Sequence, residues 1–149
     1  MNLDQATFAA VEPSHEPIGK QFVPSPTLLC IDDDPEISRA IQLHLRSFGV
    51  EVIRAYSGIH GYWLAVTNKP DAIITDLGMP QGRGEYVLES LKANSKTAHI
   101  PVIVLTGERN AALARRLTDI GAAAILKKPV EFQELLRILT THLALEEAI

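Results

Sequence analysis

Apolar residues follow two alternating periods along this chain. Five short runs, Thr27–Ile31, Val50–Ala55, Ala72–Thr75, Val102–Leu105 and Ala122–Leu126, are largely apolar. Their length and β-branched content predict buried strands. Between them, apolar positions recur at three- and four-residue intervals, as in Ile37, Ile41, His44/Leu45 and Phe48. That spacing predicts a helix between the first two runs, followed by helices over Ser57–Asn68, Gly84–Ala93, Asn110–Ile120 and Glu131–Leu145. Pro35 suits the first turn of the first helix, and Gly49 and Gly121 suit helix stops. Asn68-Lys69-Pro70 and Ile100-Pro101 punctuate helix ends ahead of strands. Five strand–helix alternations predict right-handed crossovers and an α/β fold whose parallel sheet is covered on both faces.

The first 26 residues depart from this pattern. Four of the nine prolines (Pro13, Pro17, Pro24 and Pro26) fall there, among irregularly spaced apolar residues. Residues 1–26 read as a flexible leader with a candidate short helix over Leu3–Val11, and residues 27–149 as one domain. A length of 149 residues, 46% of them hydrophobic, is enough to bury a core without a disulfide or metal staple. Fourteen basic against 18 acidic residues give −4, which argues against a broad nucleic-acid footprint. No apolar run reaches the length of a membrane span, and the N-terminus lacks the basic and apolar regions of a secretory signal. The single cysteine, Cys30, lies within a predicted strand and reads as an inert core residue. A reducing, cytoplasmic setting is the expectation.

In a doubly wound sheet, ligands gather beyond the carboxyl ends of the strands. The first run ends in Asp32-Asp33-Asp34, the third in Asp76, the fourth in Thr106-Gly107 and the fifth in Lys127-Lys128-Pro129. The second ends in nothing distinctive. Asp33 or Asp34 taken alone suits a helix N-cap, but the combination gathers carboxylates, a hydroxyl and an ammonium at one rim. Clustered carboxylates call for a cation, and oxygen-only ligands suit Mg²⁺. No His or Cys spacing supports zinc. Carboxylate nucleophile, divalent metal, lysine and hydroxyl together describe a phosphoryl-accepting site.

Four segments carry a family resemblance: Leu28–Pro35, Pro70–Pro80, Ile100–Gly107 and Lys128-Pro129, with Gly84 eight residues after Asp76. Over roughly Ser25 to Leu145 the chain resembles the receiver domain of two-component response regulators. The resemblance implies a flavodoxin-like (βα)5 fold with sheet order 2-1-3-4-5. It implies Asp76 as phospho-acceptor, and Asp32, Asp33, Asp76 and the Gly78 carbonyl as ligands of Mg²⁺. Thr106 becomes the hydroxyl that turns toward the phosphate, and Lys128, before a cis proline bond, the phosphate-binding lysine in preference to Lys127. The implied donor is a phosphohistidine on a sensor histidine kinase or phosphotransfer protein, with self-catalysed return to water and no other enzymatic activity.

The expected output is contact with a downstream protein across the fourth helix, fifth strand and fifth helix, or a phosphorylation-dependent homodimer. A DNA-binding or enzymatic output module is not expected in this chain, nor direct nucleic-acid or membrane contact. Three positions depart from the family pattern. Ile125 stands at the aromatic switch position, Val130 replaces the usual Phe after Lys–Pro, and Gly78 offers no side chain two residues past Asp76, where Glu108 is the remaining candidate to act.

Rival readings are a non-phosphorylated interaction or dimerisation module and a hydrolase with Asp76 as nucleophile. The hydrolase family places a second Asp where Gly78 stands. A flavin-binding reading lacks a Ser/Thr-rich loop after the first strand. Among smaller signals, His15 reads as solvated and His44 as partly buried packing. Trp63 beside Tyr62 and Leu64 reads as scattered helix surface in preference to a partner patch, and Arg115 and Arg116 as solubilising charges.

Overall fold

The alternating pattern resolves into five strands and five helices in a computed structural model that describes residues 24–79, 84–108 and 110–145. In chain order they are β1 (Thr27–Ile31), α1 (Pro35–Arg46), β2 (Glu51–Ala55), α2 (Gly58–Asn68), β3 (Ala72–Asp76), α3 (Gly84–Ala93), β4 (Val102–Thr106), α4 (Ala111–Ile120), β5 (Ala124–Lys127) and α5 (Phe132–Thr140). All pairings are parallel, in the order β2-β1-β3-β4-β5. This is the flavodoxin-like doubly wound arrangement, with its reversal of direction between β1 and β3.

Period-two alternation sends each strand's side chains to two cores. Leu28, Cys30, Ile74, Ile103 and Leu105 pack with Ile41 and Leu45 of α1 and Leu135 and Leu139 of α5. Leu29, Ile31, Ile73, Val102 and Val104 pack on the other face with Ala65 of α2, Leu88 and Leu91 of α3, and Leu117 of α4. Each fully buried Leu or Ile contributes about 1.5–3 kcal/mol relative to exposure. Burial on both faces explains why the strands read as continuous apolar runs.

Local chemistry sets the helix ends. Asp34, Ser57 and Asn110 cap α1, α2 and α4 by accepting backbone N–H groups of the first turn. Gly49 and Gly121 adopt φ values of 76° and 133°, closed to most L-residues, and stop α1 and α4.

Several boundaries differ from expectation, and three of them have a visible cause. Val50 precedes β2, because its N–H is drawn back to the Leu45 carbonyl at the α1 terminus. Residues 122 and 123 precede β5. The N–H of Ala122 bonds Leu117 O, completing the α4 stop, and only Ala123 N–H reaches across to Val102 O. The last helix ends at Thr140, not at residue 145. There the hydroxyls of Thr140 and Thr141 turn back onto the carbonyls of Arg137 and Ile138. Leu143 is still buried in the α1/α5 core, which is why the apolar period runs past the helix.

Residues 1–23 of the 26-residue leader, with its candidate helix and His15, lie outside the described residues. Among the described residues, no helix is long and apolar enough to cross a membrane.

Candidate functional site

The rim is assembled from chain ends that emerge side by side. Where β1 ends, Asp32 N–H donates to Ala55 O of β2 at 3.0 Å, so the first carboxylate leaves the sheet in register. Asp32 Oδ1 accepts Asp34 N–H at 2.9 Å, and Asp34 Oδ1 accepts Glu36 N–H at 2.9 Å. Asp34 is therefore the helix cap, and Asp33 stands exposed between two constrained neighbours. Asp76 is the last residue of β3, paired with Leu105 of β4, and its Oδ1 accepts Gly78 N–H at 3.1 Å. Asp32, Asp33 and Asp76 each offer a carboxylate oxygen within 4.8 Å of the others'.

Lys128 faces this cluster from the far side of the sheet. Its Nζ lies 3.0 Å from Asp76 Oδ1 and 3.7 Å from Asp32 Oδ2. Lys127 turns away and donates to Gly107 O at 3.2 Å. The peptide bond between Lys128 and Pro129 is cis. Thr106, buried at the end of β4, accepts Glu108 N–H at 3.1 Å through its hydroxyl. Its carbonyl accepts Lys128 N–H at 2.7 Å, tying the hydroxyl-bearing and lysine-bearing segments together. Gly84, at the start of α3, lies against the backbone of the acceptor strand. A Cβ there would collide with the Asp76 carbonyl oxygen and with Leu77 Cα. That contact accounts for the glycine eight residues after Asp76.

Electrostatics mark the cluster as rich in negative charge. Burial pushes the Asp32 carboxyl from 3.8 up to about 6; the Asp34 N–H and Lys128 pull it down, while Asp76 and Asp33 push it further up. Asp32 is fully buried and its Oδ2 has no hydrogen-bond partner. A buried, unpartnered carboxylate oxygen among two further carboxylates is a donor set for a hard divalent cation, so these residues fit Mg²⁺. Lys128 is destabilised as an ammonium by burial. Its hydrogen bond to Asp76 and the charges of Asp32, Asp76 and Asp33 outweigh that and hold its pKa above the ordinary lysine value.

The rim's other half is open. Ile125, half-buried and paired with Val104, lines a cleft of about 540 Å³ together with Thr106, Glu108, Leu113, Lys127 and Glu134.

Other predicted positions turn out variously. Cys30 is buried, and desolvation pushes its thiol up to about 12, as suits an inert core residue. His44 is exposed where partial burial was expected. One face of its ring stacks 4.6 Å from Phe132, so packing does not bring desolvation. Arg116 is no free solubilising charge: it forms a two-pronged ion pair with Glu85 of α3 at 2.8 and 3.0 Å. Trp63 is 57% exposed. With Ile59, Tyr62 and Tyr86 it lines a cleft of about 640 Å³ between α2 and α3, so its exposure is concentrated, not scattered.

Sequence reasoning passed over Arg54 and Ser38. The signals available were a charge inside an apolar strand and a serine on the buried face of a helix. Phe132 was also missed. It packs against His44 and Phe48, supplying an aromatic ring two residues after Val130.

Residues 28–140 match the family model for the response regulator receiver domain. The DNA-binding dual master transcriptional regulator RpaA of Synechocystis is 39% identical over 111 residues, which are 74% of this chain and 46% of that protein. The chain thus spans about half the length of such curated relatives. Chemotaxis protein CheY4 of Vibrio cholerae superposes with a TM-score of 0.75 at 27% identity, covering 80% of this chain and 99% of that one. A response regulator receiver domain protein from Clostridium thermocellum gives 0.72 at 33% identity, covering 78% and 93%.

Proposed function

Because the chain belongs to the response-regulator receiver-domain family, whose members are phospho-acceptors that interact with histidine kinases or phosphotransfer proteins, we propose that Asp76 is its phosphorylated residue. The observation that carries this reading is the convergence of Asp32, Asp33 and Asp76 within 4.8 Å, with Lys128 Nζ 3.0 Å from Asp76.

In the proposed reaction an Asp76 carboxylate oxygen attacks the phosphorus of a phosphohistidine. A P–O bond forms, the P–N bond breaks, and the leaving imidazole keeps its electron pair and takes up a proton. Lys128 is already placed against the nucleophile, and its ammonium offsets negative charge on the transferred group. The Thr106 hydroxyl uses an acceptor site for Glu108 N–H, which leaves its own proton to donate to a phosphoryl oxygen. The residues to hold Mg²⁺ are Asp32, Asp33 and Asp76, with the Gly78 carbonyl as a further ligand. When bound, the ion neutralises charge on the phosphoryl oxygens.

Hydrolysis of the acyl phosphate returns Asp76 to its resting state, and no other enzymatic activity belongs to this reading. Residues 1–26 as leader, 27–149 as receiver domain and a cytoplasmic site of action complete it. Output is proposed to run through protein contact at α4, β5 and α5, with a downstream partner or with a second copy. The DNA binding named for RpaA is not carried over.

Intact-mass measurement after incubation with Mg²⁺ and a small-molecule phosphodonor tests the assignment. One phosphoryl adduct is expected on the wild type, and none on Asp76→Asn or without Mg²⁺. An unmodified wild type, or an equal adduct on Asp76→Asn, would overturn it.

A further inference from the structure

Arg54, the fourth residue of β2, reaches over the sheet edge to the start of α1. Its Nε donates to Ser38 Oγ at 3.0 Å and its Nη2 to the Pro35 carbonyl at 3.0 Å. Ser38 is fully buried and itself donates to the Pro35 carbonyl at 3.3 Å. The guanidinium also lies 5.5 Å from the centre of the Tyr56 ring, which narrows its freedom to swing away. A planar fork of fixed donors is matched here to two acceptors, a pairing that a lysine cannot reproduce.

The position of these contacts gives them meaning. Asp32 N–H is tied to Ala55 O, and the Pro35 carbonyl to Arg54, so both anchors of the segment 32–35 stand on adjacent residues of β2. Between the anchors the segment is braced by the carboxylate-to-amide bond at Asp34 N–H and by Lys128 Nζ 3.7 Å from Asp32 Oδ2, and just beyond it Asp34 caps Glu36 N–H. Asp33 is the exposed residue in the middle, and none of these bonds holds its side chain.

We infer that Arg54 is a positioning residue for the acidic pair. By holding the Pro35 anchor it keeps the Asp33 carboxylate within reach of Asp32 and Asp76, and so sets the rim's affinity for a divalent cation. The inference rests on the proposed reading of the rim as a Mg²⁺-assisted acceptor. Arg54 touches none of the reacting groups and acts through backbone placement alone.

Calorimetric titration of the full chain with Mg²⁺ tests this in the wild type, Arg54→Met and Arg54→Lys. Methionine keeps an unbranched stem and loses the donors; lysine keeps the charge but not the fork. Both variants are expected to bind Mg²⁺ about 10-fold more weakly, the low end for lost outer-shell support of metal ligands. In phosphodonor labelling, the half-saturating Mg²⁺ concentration should rise by the same factor while the rate at saturating Mg²⁺ is kept. In metal-free protein, amide exchange should quicken at Asp34 and Glu36 and stay slow at Ile74 and Val104.

Unchanged affinity would overturn the inference, as would full recovery by lysine, which would assign the effect to charge. Faster exchange throughout the core would mark Arg54 as merely structural. A wild type that binds Mg²⁺ but takes no phosphoryl group refutes the acceptor reading alone, and affinity and exchange still decide the role of Arg54. A wild type without Mg²⁺ affinity overturns both.

Discussion

Around the ends of β1 and β3, Asp32 Oδ1, Asp34 Oδ1 and Asp76 Oδ1 each accept a backbone N–H within two residues, and Lys128 spans the gap between the two strands. Around the ends of β4 and β5, Thr106 makes one such bond, Ile125 is half-buried, and a cleft of about 540 Å³ opens beside them. The two halves share one rim and one sheet, yet the carboxylates of the first are held from several sides, whereas the second, tied through Lys128 N–H to Thr106 O, keeps an open cleft beside it. Groups that must meet a phosphorus atom need fixed geometry, since small misplacement is costly in rate. A surface that changes on modification needs two arrangements close in energy. The contrast therefore separates proposed chemistry from proposed signalling within a few ångströms.

Removing Lys128 is the most severe way to break the ordered half. Lys128→Ala should slow phosphoryl acceptance on the order of 10²-fold, the usual cost of losing one preorganised charge partner. Its affinity for Mg²⁺ should hold or improve, because a competing cation has gone. Lys127→Ala, whose ammonium faces Gly107, should label at the wild-type rate. Equal defects in the two variants would contradict the geometry.

The next effect is on stability. Asp32 ionises near 3.8 unfolded and at about 6 in the metal-free fold, so between those values the folded protein holds a proton that the unfolded chain has released. Stability of the metal-free protein should fall as pH rises through that window, by about 3 kcal/mol in total. Asp32→Asn should flatten the dependence, and Mg²⁺ should raise the unfolding midpoint more above pH 6 than below it. Chemical denaturation at a series of pH values measures all three.

The smallest effect belongs to the open half. Ile125→Phe adds volume next to an existing cleft, so denaturation should register a change below about 1 kcal/mol, less than overpacking a closed core. Labelling of Asp76 should be unaffected. A loss comparable to a core overpacking mutant would show that the cleft is not available to this side chain.

Most of the proposed site was legible in the chain. Asp32, Asp33, Asp76, Thr106 and Lys128 each end an apolar run, and parallel topology alone brings such ends to one rim. The preference for Lys128 over Lys127 came from the family pattern of a lysine before proline and not from periodicity, because alternate strand residues face opposite sides and the strand end had to be known first. Arg54, Ser38 and the Glu85–Arg116 pair stayed hidden for a related reason. They join residues 16 to 31 positions apart, and no local period records which helix lies against which strand or helix. The end of α5 was obscured because Leu143 keeps the helical period after the helix has stopped.

Gly84 has a consequence of a genetic kind. It carries no functional group, yet any side chain placed there meets the main chain of Asp76 before anything else. If Asp76 is the acceptor as proposed, substitutions at position 84 should fall in the same phenotypic class as substitutions at Asp76, and a screen for lost phosphorylation would score a glycine that takes no part in the chemistry.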